Sequence, residues 1–232
     1  MRSICMATYN GQKYIKEQLD SIIPQLCDDD ELIVSDDAST DATLAIVQSY
    51  NDPRIKVFNN ENHGVAHNFE NAMRHASGDI IYFADQDDVW LPGKLDKMET
   101  FLKEGGYDTI LCNCSLVDEN LKVIKERHYD EKWPMKKSLI KNIINNCWLG
   151  ACMCFTKQVK DACMPFPPKV VAHDLWVSYY AQKHFKCGYL DDVLQLYRRH
   201  EGTVSFTGGK SKNSLYFKIS YRLYLVWHLL WA

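Results

Sequence analysis

The sequence predicts an α/β fold in which helices flank a mostly parallel sheet and a further helix closes the chain. Two observations support this class. The first hundred residues alternate short apolar runs with amphipathic helical patterns, as parallel strands joined by helices do. The chain has 232 residues, of which 46% are hydrophobic and 25% charged. It can therefore bury one sizeable core but is too short for two full-sized domains.

The predicted elements alternate regularly up to residue 114. Short apolar runs predict strands at residues 4–8, 32–35, 55–58 and 80–84. Apolar side chains that recur every three or four residues predict helices at 15–26, 41–50 and 65–76. After Pro92, a further helix is predicted that ends at Gly105, and a strand is expected at 109–114.

The alternation loosens in the second half of the chain. Residues 115–170 mix short strands with a helical stretch around 139–144, and another helix is predicted to begin near His173. We expect one domain over residues 1–205, with a first half at 1–115 and a second half at 116–205. Residues 206–232 are expected to form a separate C-terminal aromatic helix.

The C-terminal segment is rich in Tyr, Leu and Trp but carries Lys218, Arg222 and His228. It is too short and too charged to predict a transmembrane helix, yet more aromatic than an ordinary exposed helix. Two interpretations stay open. The helix lies in a membrane interface, or it packs against the protein body or a partner chain.

Charge and cysteine content exclude several classes of protein. The formal net charge is −3, so no basic excess points to nucleic acid as a partner. Nine cysteines are an odd number, and no apolar leader with a cleavage site opens the chain, which favours a reduced, cytoplasmic protein. Cys112 and Cys114 with Cys152 and Cys154 allow a zinc site, but C-x-C spacing is short for zinc and favours four core thiols.

An acidic cluster follows the fourth predicted strand. Asp85, Asp87 and Asp88 stand within four residues, where carboxylates repel one another unless a cation is bound. Ligands of open parallel sheets bind at the carboxyl ends of the strands, which is where this cluster is expected. Hard oxygen ligands favour Mg²⁺ or Mn²⁺, which can also bind diphosphate oxygens and neutralise a nucleotide leaving group.

Polar residues also follow the first and second predicted strands. The carboxylate of Asp37 can accept a hydrogen bond from the imide N–H of uracil or thymine, and Thr8 and Tyr9 offer a hydroxyl and a ring face to the same nucleoside. The first strand is not followed by a glycine-rich phosphate loop or a G-x-G-x-x-G pattern. This argues against a simple ATPase and against a dinucleotide-binding enzyme.

These motifs together resemble the family 2 glycosyltransferases of the GT-A fold. The resemblance rests on segments 7–10, 34–41 and 62–68 and on the acidic cluster at 85–88, whose order and spacing match over roughly the first hundred residues. It implies that Asp37 contacts the base and that Asp85 with Asp87 or Asp88 holds the sugar nucleotide through a metal ion. It also implies a Rossmann-like GT-A sheet and inversion at the anomeric carbon.

Inversion requires a general base for the acceptor hydroxyl. The resemblance assigns this role to Asp174, although His173 stands where many relatives carry Glu. The stretch around Asp174 and the later Tyr197-Arg198-Arg199-His200 resemble a rhamnosyltransferase-like branch, in which Arg199 and His200 would close over the diphosphate. Gln195 to Arg198 fit the first four positions of the Gln-x-x-Arg-Trp pattern of polymerising synthases, but Arg199 stands where that pattern has Trp. Transfer of a single sugar is therefore expected.

The expected donor-binding residues are Thr8, Tyr9, Asn10, Asp37, Asn68, Asp85, Gln86, Arg199 and His200. The expected metal ligands are Asp85, Asp87, Asp88 and His200.

The predicted function is transfer of one sugar from a nucleotide diphosphate to a glycan or lipid-linked acceptor, with Mg²⁺ or Mn²⁺ as cofactor. The branch resemblance suggests dTDP-rhamnose as donor, with a UDP-hexose as the alternative. The expected location is the cytoplasm, peripheral at the inner face of the plasma membrane. Two rivals remain. One is a nucleotidyltransferase, which would need a basic triphosphate cradle, and the other is a non-catalytic sugar-nucleotide-binding module.

Overall fold

A computed structural model describes residues 1–135, 138–200 and 214–231. Strands and helices alternate in the first part of the described chain, up to residue 85. The strands are β1 (Arg2–Thr8), β2 (Glu31–Asp36), β3 (Ile55–Asn59), β4 (Ile80–Asp85), β5 (Val89–Trp90), β6 (Thr109–Val117), β7 (Val123–Lys125), β8 (Met153–Thr156) and β9 (Cys187–Arg198). The helices are α1 (Ile15–Ile22), α2 (Thr43–Ser49), α3 (Val65–His75), α4 (Lys94–Gly105), α5 (Leu139–Ile144), α6 (Lys157–Cys163), α7 (His173–His184) and α8 (Leu215–Trp231).

All strands of the described chain join one sheet in the order β3-β2-β1-β4-β8-β6-β9-β5, with β7 paired to β6. The α/β class is confirmed, and so is parallel pairing among β1, β2, β3 and β4. The expected mostly parallel sheet is also confirmed, because β6 and β9 pair in parallel as well. β8 runs antiparallel to both β4 and β6, and β5 runs antiparallel to β9. The sheet is therefore mixed, but in the described chain only the short strands β5, β7 and β8 oppose the direction that the longer strands share.

The first half forms as its sequence pattern predicts. β2 is buried along its whole length, because helices cover both faces of a parallel sheet. α1 turns Ile15, Leu19 and Ile22 to the sheet, and α3 turns Phe69 and Met73 to it. Their apolar spacing thus corresponds to one buried face per helix. The carboxyl ends of β1, β2 and β4 consequently lie side by side at one sheet edge, where the polar loops follow.

The expected division at residue 115 falls inside β6, so the two proposed halves share one sheet. The expected boundary between residues 205 and 206 lies outside the described residues. Both C-x-C pairs are buried in the core, and their thiols are free. Among the described residues, no group of three or more His, Cys, Asp or Glu side chains is arranged to hold a metal ion.

α8 packs on the protein through one face. Leu225 and Leu229 are buried in the main core. The guanidinium Nε of Arg222 donates to the carbonyl of Ile143 in α5 at 2.7 Å, and Lys183 of α7 donates to the carbonyl of Leu229. In the described ranges, no helix is both long enough and apolar enough to cross a bilayer.

Candidate active site

A cleft of about 770 Å³ opens at the carboxyl edge of the parallel strands. Four separate segments form it: the loop after β1, the acidic loop after β4, the tip of the β6–β7 hairpin, and the residues after β9. Of the residues expected from the sequence, it is lined by Tyr9, Asn10, Gln86, Asp87, Arg199 and His200. The hairpin tip and the start of α1 contribute residues that the sequence did not suggest: Lys13, Tyr14, Asp118, Glu119 and Asn120.

Asp87 and His200 meet in this cleft although 113 positions separate them. The His200 ring nitrogen Nε2 lies 2.8 Å from Asp87 Oδ2. The imidazole also contacts the ring of Tyr14, with 4.6 Å between centroids, and the Arg198 guanidinium lies over the same ring. A carboxylate and an imidazole are thus held together, partly exposed, at the mouth of the acidic loop.

Asp85 ends β4 and lies close to two other carboxylates. Burial, then the charges of Asp87 and Asp174, raise its pKa to about 8. Both Asp85 and Asp87 are only partly exposed, so water offsets their repulsion incompletely. The charge of Asp174, from the second half of the chain, therefore acts on Asp85, although neither of these two residues is among those that line the cleft.

Asp88 differs from its neighbours. Its side chain is fully buried, and its two carboxylate oxygens accept hydrogen bonds from Gln195 Nε2 at 3.1 Å and from the Arg198 backbone N–H at 2.9 Å. Burial, then the charges of Asp87 and Asp85, raise its pKa well above the usual range. We therefore remove Asp88 from the expected metal ligands, because its oxygens anchor the acidic loop to β9 instead of lining the cleft.

Beneath Asp88 lies a buried cation. Lys94, the first residue of α4, is fully buried and donates from Nζ to the Ala151 carbonyl at 2.8 Å and to Gln195 Oε1. Its ammonium also lies 4.1 Å from the Trp90 ring centroid. Gln195 therefore connects Lys94 to Asp88. No sequence pattern indicated this role, because a Lys in the first turn of a helix is normally solvated.

Asp174 lies in the first turn of α7. Burial raises the pKa of its carboxyl to about 6, against the lowering effect of hydrogen bonds from the backbone N–H groups of Leu175 and Gly150. Gly150 fits closely here, since an added Cβ would lie 3.3 Å from Asp174 Cβ and would clash with the His173 ring. The site thus contains a carboxylate with a raised pKa that can accept a proton near neutral pH.

His173, which departs from the family pattern, is a core residue. Its ring stacks on Phe69 at 3.6 Å between centroids, and burial lowers its pKa to about 3. Neither ring nitrogen has a hydrogen-bond partner within the described part of the chain. His173 therefore stays neutral and helps to wedge the start of α7 against the sheet.

Three residues that were expected to contact the sugar nucleotide, namely Thr8, Asp37 and Asn68, form hydrogen bonds within the protein. The Thr8 hydroxyl is buried and donates to Asp36 Oδ1 at 2.8 Å, and Asn68 Nδ2 donates to the Thr8 carbonyl at 3.0 Å. Asp37, which is slightly exposed, accepts from Asn60 Nδ2 at 3.0 Å and from the Gly64 N–H at 2.7 Å. These bonds link β1, β2 and α3. The sequence did not single out Asp36, which occupies the centre of this network.

Gln86 joins the first and fourth loops. Its side-chain amide accepts from the Tyr9 N–H and donates to the Tyr9 carbonyl, both at 3.0 Å. The Tyr9 ring itself is 57% exposed at the cleft. Asn10 accepts from the Thr40 N–H at 2.8 Å, so the first loop is also fixed to the second. The loops are therefore tied into one rigid rim from which the Tyr9 ring projects.

Comparison with known proteins identifies the family. Residues 3–160 match the family described as "Glycosyl transferase family 2". The chain belongs to glycosyl transferase family 2. A family 2 relative from Campylobacter jejuni, GalNAc(5)-diNAcBac-PP-undecaprenol beta-1,3-glucosyltransferase, is 32% identical over 96% of this chain and 70% of its own length. Escherichia coli WfgD, a UDP-Glc:alpha-D-GlcNAc-diphosphoundecaprenol beta-1,3-glucosyltransferase, is 29% identical over 88% of this chain and 79% of its own length.

Solved structures agree with the family assignment. S. aureus TarS in complex with UDP-GlcNAc superposes with a TM-score of 0.75 at 25% identity, over 97% of this chain and 66% of the TarS chain. The mannosyltransferase PcManGT from Pyrobaculum calidifontis shares the fold with a TM-score of 0.63 at 21% identity, over 87% of this chain and 57% of its own. The fold is therefore GT-A-like, as the resemblance implied, and the chain spans about two thirds of the TarS structure.

Proposed function

We propose that this chain transfers one sugar from a uridine diphosphate sugar to a hydroxyl group of a lipid-linked acceptor. Three groups around the acidic loop support the proposal: Asp85 and Asp87 themselves, His200, which contacts Asp87, and Asp174, whose charge acts on Asp85. The first two suit a diphosphate leaving group, and the third suits a base for the attacking hydroxyl. The rival module without catalysis has no use for such a base.

Uridine replaces thymidine as the proposed nucleotide. TarS was solved with UDP-GlcNAc, and the name of WfgD gives UDP-Glc as its donor. The C. jejuni relative and WfgD are both named as glucosyltransferases, so we do not retain rhamnose as the proposed sugar. We propose that the exposed Tyr9 ring covers the nucleoside and that the slightly exposed Asp37 carboxylate, which already contacts Asn60, His63 and Gly64, also contacts the base.

A divalent cation, Mg²⁺ or Mn²⁺, fits the acidic residues of the cleft. The charge of Asp87 raises the pKa of Asp85, and a bound cation would relieve this repulsion. Mg²⁺ commonly uses one or two carboxylates together with substrate phosphates, so it needs no cage of three protein ligands. Asp87, beside His200, would hold the ion together with Asp85. When bound, the ion neutralises charge that develops on the departing diphosphate.

Asp174 is the proposed general base. Its raised pKa means that it can hold the proton of the acceptor hydroxyl as the hydroxyl attacks the anomeric carbon. Attack on the face opposite the diphosphate inverts the configuration of that carbon. The Gly150 and Leu175 N–H groups fix the carboxylate in place, so it does not need to reorganise during the reaction.

The proposed acceptor is a sugar linked to a polyprenyl diphosphate. The names of the C. jejuni relative and of WfgD both contain a sugar linked to undecaprenol through a diphosphate, and both proteins match most of the present chain. Such an acceptor stays in a membrane while its sugar hydroxyl reaches into water. We therefore propose that the protein works in the cytoplasm, peripherally at the inner face of the plasma membrane.

Calorimetric titration tests the donor. UDP, dTDP and GDP are each added to the wild-type chain and to Asp87→Ala, with and without Mn²⁺. We expect UDP to bind most tightly to the wild-type chain and Mn²⁺ to increase its affinity. In Asp87→Ala, Mn²⁺ should no longer increase the affinity for UDP. Binding of none of the three nucleotides would contradict the transferase proposal.

Product analysis then tests the reaction. UDP-glucose and UDP-GlcNAc are each incubated with a synthetic polyprenyl diphosphate sugar, and the product is examined by mass spectrometry. We expect a mass increase of one hexose or one N-acetylhexosamine, together with release of UDP. UDP binding without transfer to any acceptor would favour the non-catalytic module, and release of pyrophosphate from a nucleoside triphosphate would favour the nucleotidyltransferase.

A further inference from the structure

An ion pair joins two walls of the cleft. Lys13 lies in the loop after β1, and Glu119 lies at the tip of the β6–β7 hairpin, 106 positions further along the chain. Lys13 Nζ donates to Glu119 Oε2 at 2.8 Å, and both residues line the cleft. The pair therefore lies in the space that a ligand of the cleft would enter.

The hairpin tip is held in place by contacts that do not involve the Glu119 side chain. Asp118 Oδ1 accepts hydrogen bonds from two backbone N–H groups of the turn, both at 2.9 Å. The Glu119 carbonyl accepts from the guanidinium of Arg198, a buried residue, at 2.6 Å. A change of partner by the Glu119 carboxylate would therefore leave the tip in position.

The ion pair between Lys13 and Glu119 is easily broken. Their side chains are 64% and 52% exposed. Ion pairs at such exposure contribute little to stability, because water solvates both groups when they separate. The hydrogen bond between the two groups raises the pKa of Lys13 and lowers that of Glu119, so both are charged at neutral pH. Lys13 is thus a full positive charge that can readily change its anionic partner.

Lys13 lies beside the groups that we propose for the diphosphate. Its ammonium is 4.9 Å from the centroid of the Tyr14 ring, and the His200 ring contacts the same ring at 4.6 Å between centroids. His200 in turn contacts Asp87. Lys13 and the acidic loop therefore belong to one connected wall of the cleft. Glu119 places a negative charge against this wall, although the proposed ligand is itself an anion.

We propose that Lys13 binds the diphosphate of the donor and that Glu119 is an internal competitor for this lysine. When the donor binds, Lys13 exchanges the carboxylate for a phosphate oxygen, to which its ammonium donates a charge-assisted hydrogen bond. The same competition acts on the UDP product, so Glu119 promotes its release, a step that limits turnover in many enzymes. The inference deepens the proposed function and rests on it, because the diphosphate belongs to the proposed donor.

Calorimetry without added metal tests the proposal, because only the charges of the protein then act on the ligand. Uridine, UDP and inorganic pyrophosphate are each titrated into the wild-type chain, Glu119→Gln, Lys13→Met and the double variant. We expect Glu119→Gln to raise UDP affinity about twofold to fivefold, since an exposed ion pair no longer has to be broken. Lys13→Met should lower UDP affinity about tenfold, through loss of a charge-assisted hydrogen bond. Uridine affinity should stay the same in all variants.

The double variant separates competition for Lys13 from a general effect of charge. If Glu119 competes for this lysine, Glu119→Gln should raise UDP affinity in the wild-type background and have little effect in the Lys13→Met background. A gain of equal size in both backgrounds would overturn the proposal. Lys16→Met and Asp20→Asn are the matched controls: these residues form an exposed ion pair at 2.7 Å in α1, outside the cleft lining, and their variants should bind UDP as wild type does.

The titrations also distinguish failure of this inference from failure of the proposed function. UDP binding that Lys13→Met leaves unchanged would overturn this inference alone. Binding of neither UDP nor pyrophosphate to the wild-type chain would overturn both. Pyrophosphate binding that depends on Lys13, without any preference for UDP, would support the role of Lys13 and contradict the proposed donor.

Discussion

The Nε2 atom of His200 lies 2.8 Å from Oδ2 of Asp87, across the mouth of the cleft. This contact joins the residue after β9 to the acidic loop after β4. The His200 ring is supported from behind by Tyr14, which in turn lies under the Arg198 guanidinium. Removal of the imidazole should therefore disturb the group that we propose to bind the metal and diphosphate, with little effect on the core.

His200→Ala tests this relationship. We expect the affinity for UDP in the presence of Mn²⁺ to fall about tenfold to a hundredfold, because Asp87 loses its orienting partner and the site loses a donor. UDP affinity without metal should change little. Calorimetry with and without Mn²⁺ measures both. His184→Ala is the matched control. His184 is the last residue of α7 and does not line the cleft, so this variant should behave as wild type. Equal losses with and without metal would contradict a role at the cation.

The pH dependence of turnover should follow Asp174. A base acts in its ionised form, and burial raises the pKa of this carboxyl to about 6. The rate should therefore be full above this pKa and fall about tenfold for each pH unit below it. Asp174→Asn should lower kcat by roughly two to four orders of magnitude with unchanged UDP affinity. Transfer rates at saturating donor, measured across the acidic range, check this. A flat profile through pH 6 would exclude Asp174 as the base.

Gly150→Ala should slow the proton transfer to Asp174, because the added methyl group displaces this residue. The added methyl group would clash with the His173 ring and crowd Asp174 Cβ. We expect kcat to fall about tenfold to a hundredfold, since small misplacements of a reacting group are costly. UDP affinity should not change. Gly106→Ala is the control. Gly106 has a positive φ of 55°, so an alanine there should cost about 1 kcal/mol of stability without contacting the site. Equal loss of kcat in both variants would attribute the effect to folding.

The sequence predicted the parts of the site that follow strand ends. The carboxyl ends of β1, β2 and β4 meet because the strands are parallel, and this local rule placed Tyr9, Asn10, Gln86 and Asp87 together. His200 followed only from the family resemblance. The antiparallel entry of β8 was missed, because a strand of four residues carries too little pattern to state its direction.

The orientation of single side chains was harder to predict. Asp85, Asp87 and Asp88 look alike in sequence, yet the turn after β4 directs Asp88 into the interior, where Gln195 and Arg198 bind it. The partners of Asp88 come from β9, more than a hundred positions away. Long-range pairing of this kind has no local signature. Lys94 was missed for the same reason, although its burial follows once Gln195 is placed.

Lys94 offers the sharpest test of how the acidic loop is supported. Its ammonium is fully buried and donates to Gln195 and to the Ala151 carbonyl, so replacement by Met leaves both acceptors and Asp88 without a nearby cation. Breaking a buried charged interaction on one side costs about 3–5 kcal/mol. We therefore expect Lys94→Met to lower the free energy of unfolding by about 3 kcal/mol. Urea denaturation followed by circular dichroism measures the change.

Lys97→Met on the same helix is the matched control. Lys97 is exposed and pairs with Asp192 at 3.1 Å on the surface, where such ion pairs contribute about 0–1 kcal/mol. Its loss should leave the unfolding midpoint nearly unchanged. If Lys94→Met and Lys97→Met destabilise equally, the buried ammonium contributes no more than a surface charge. The Gln195 bridge would then not be what holds Asp88 beneath the cleft.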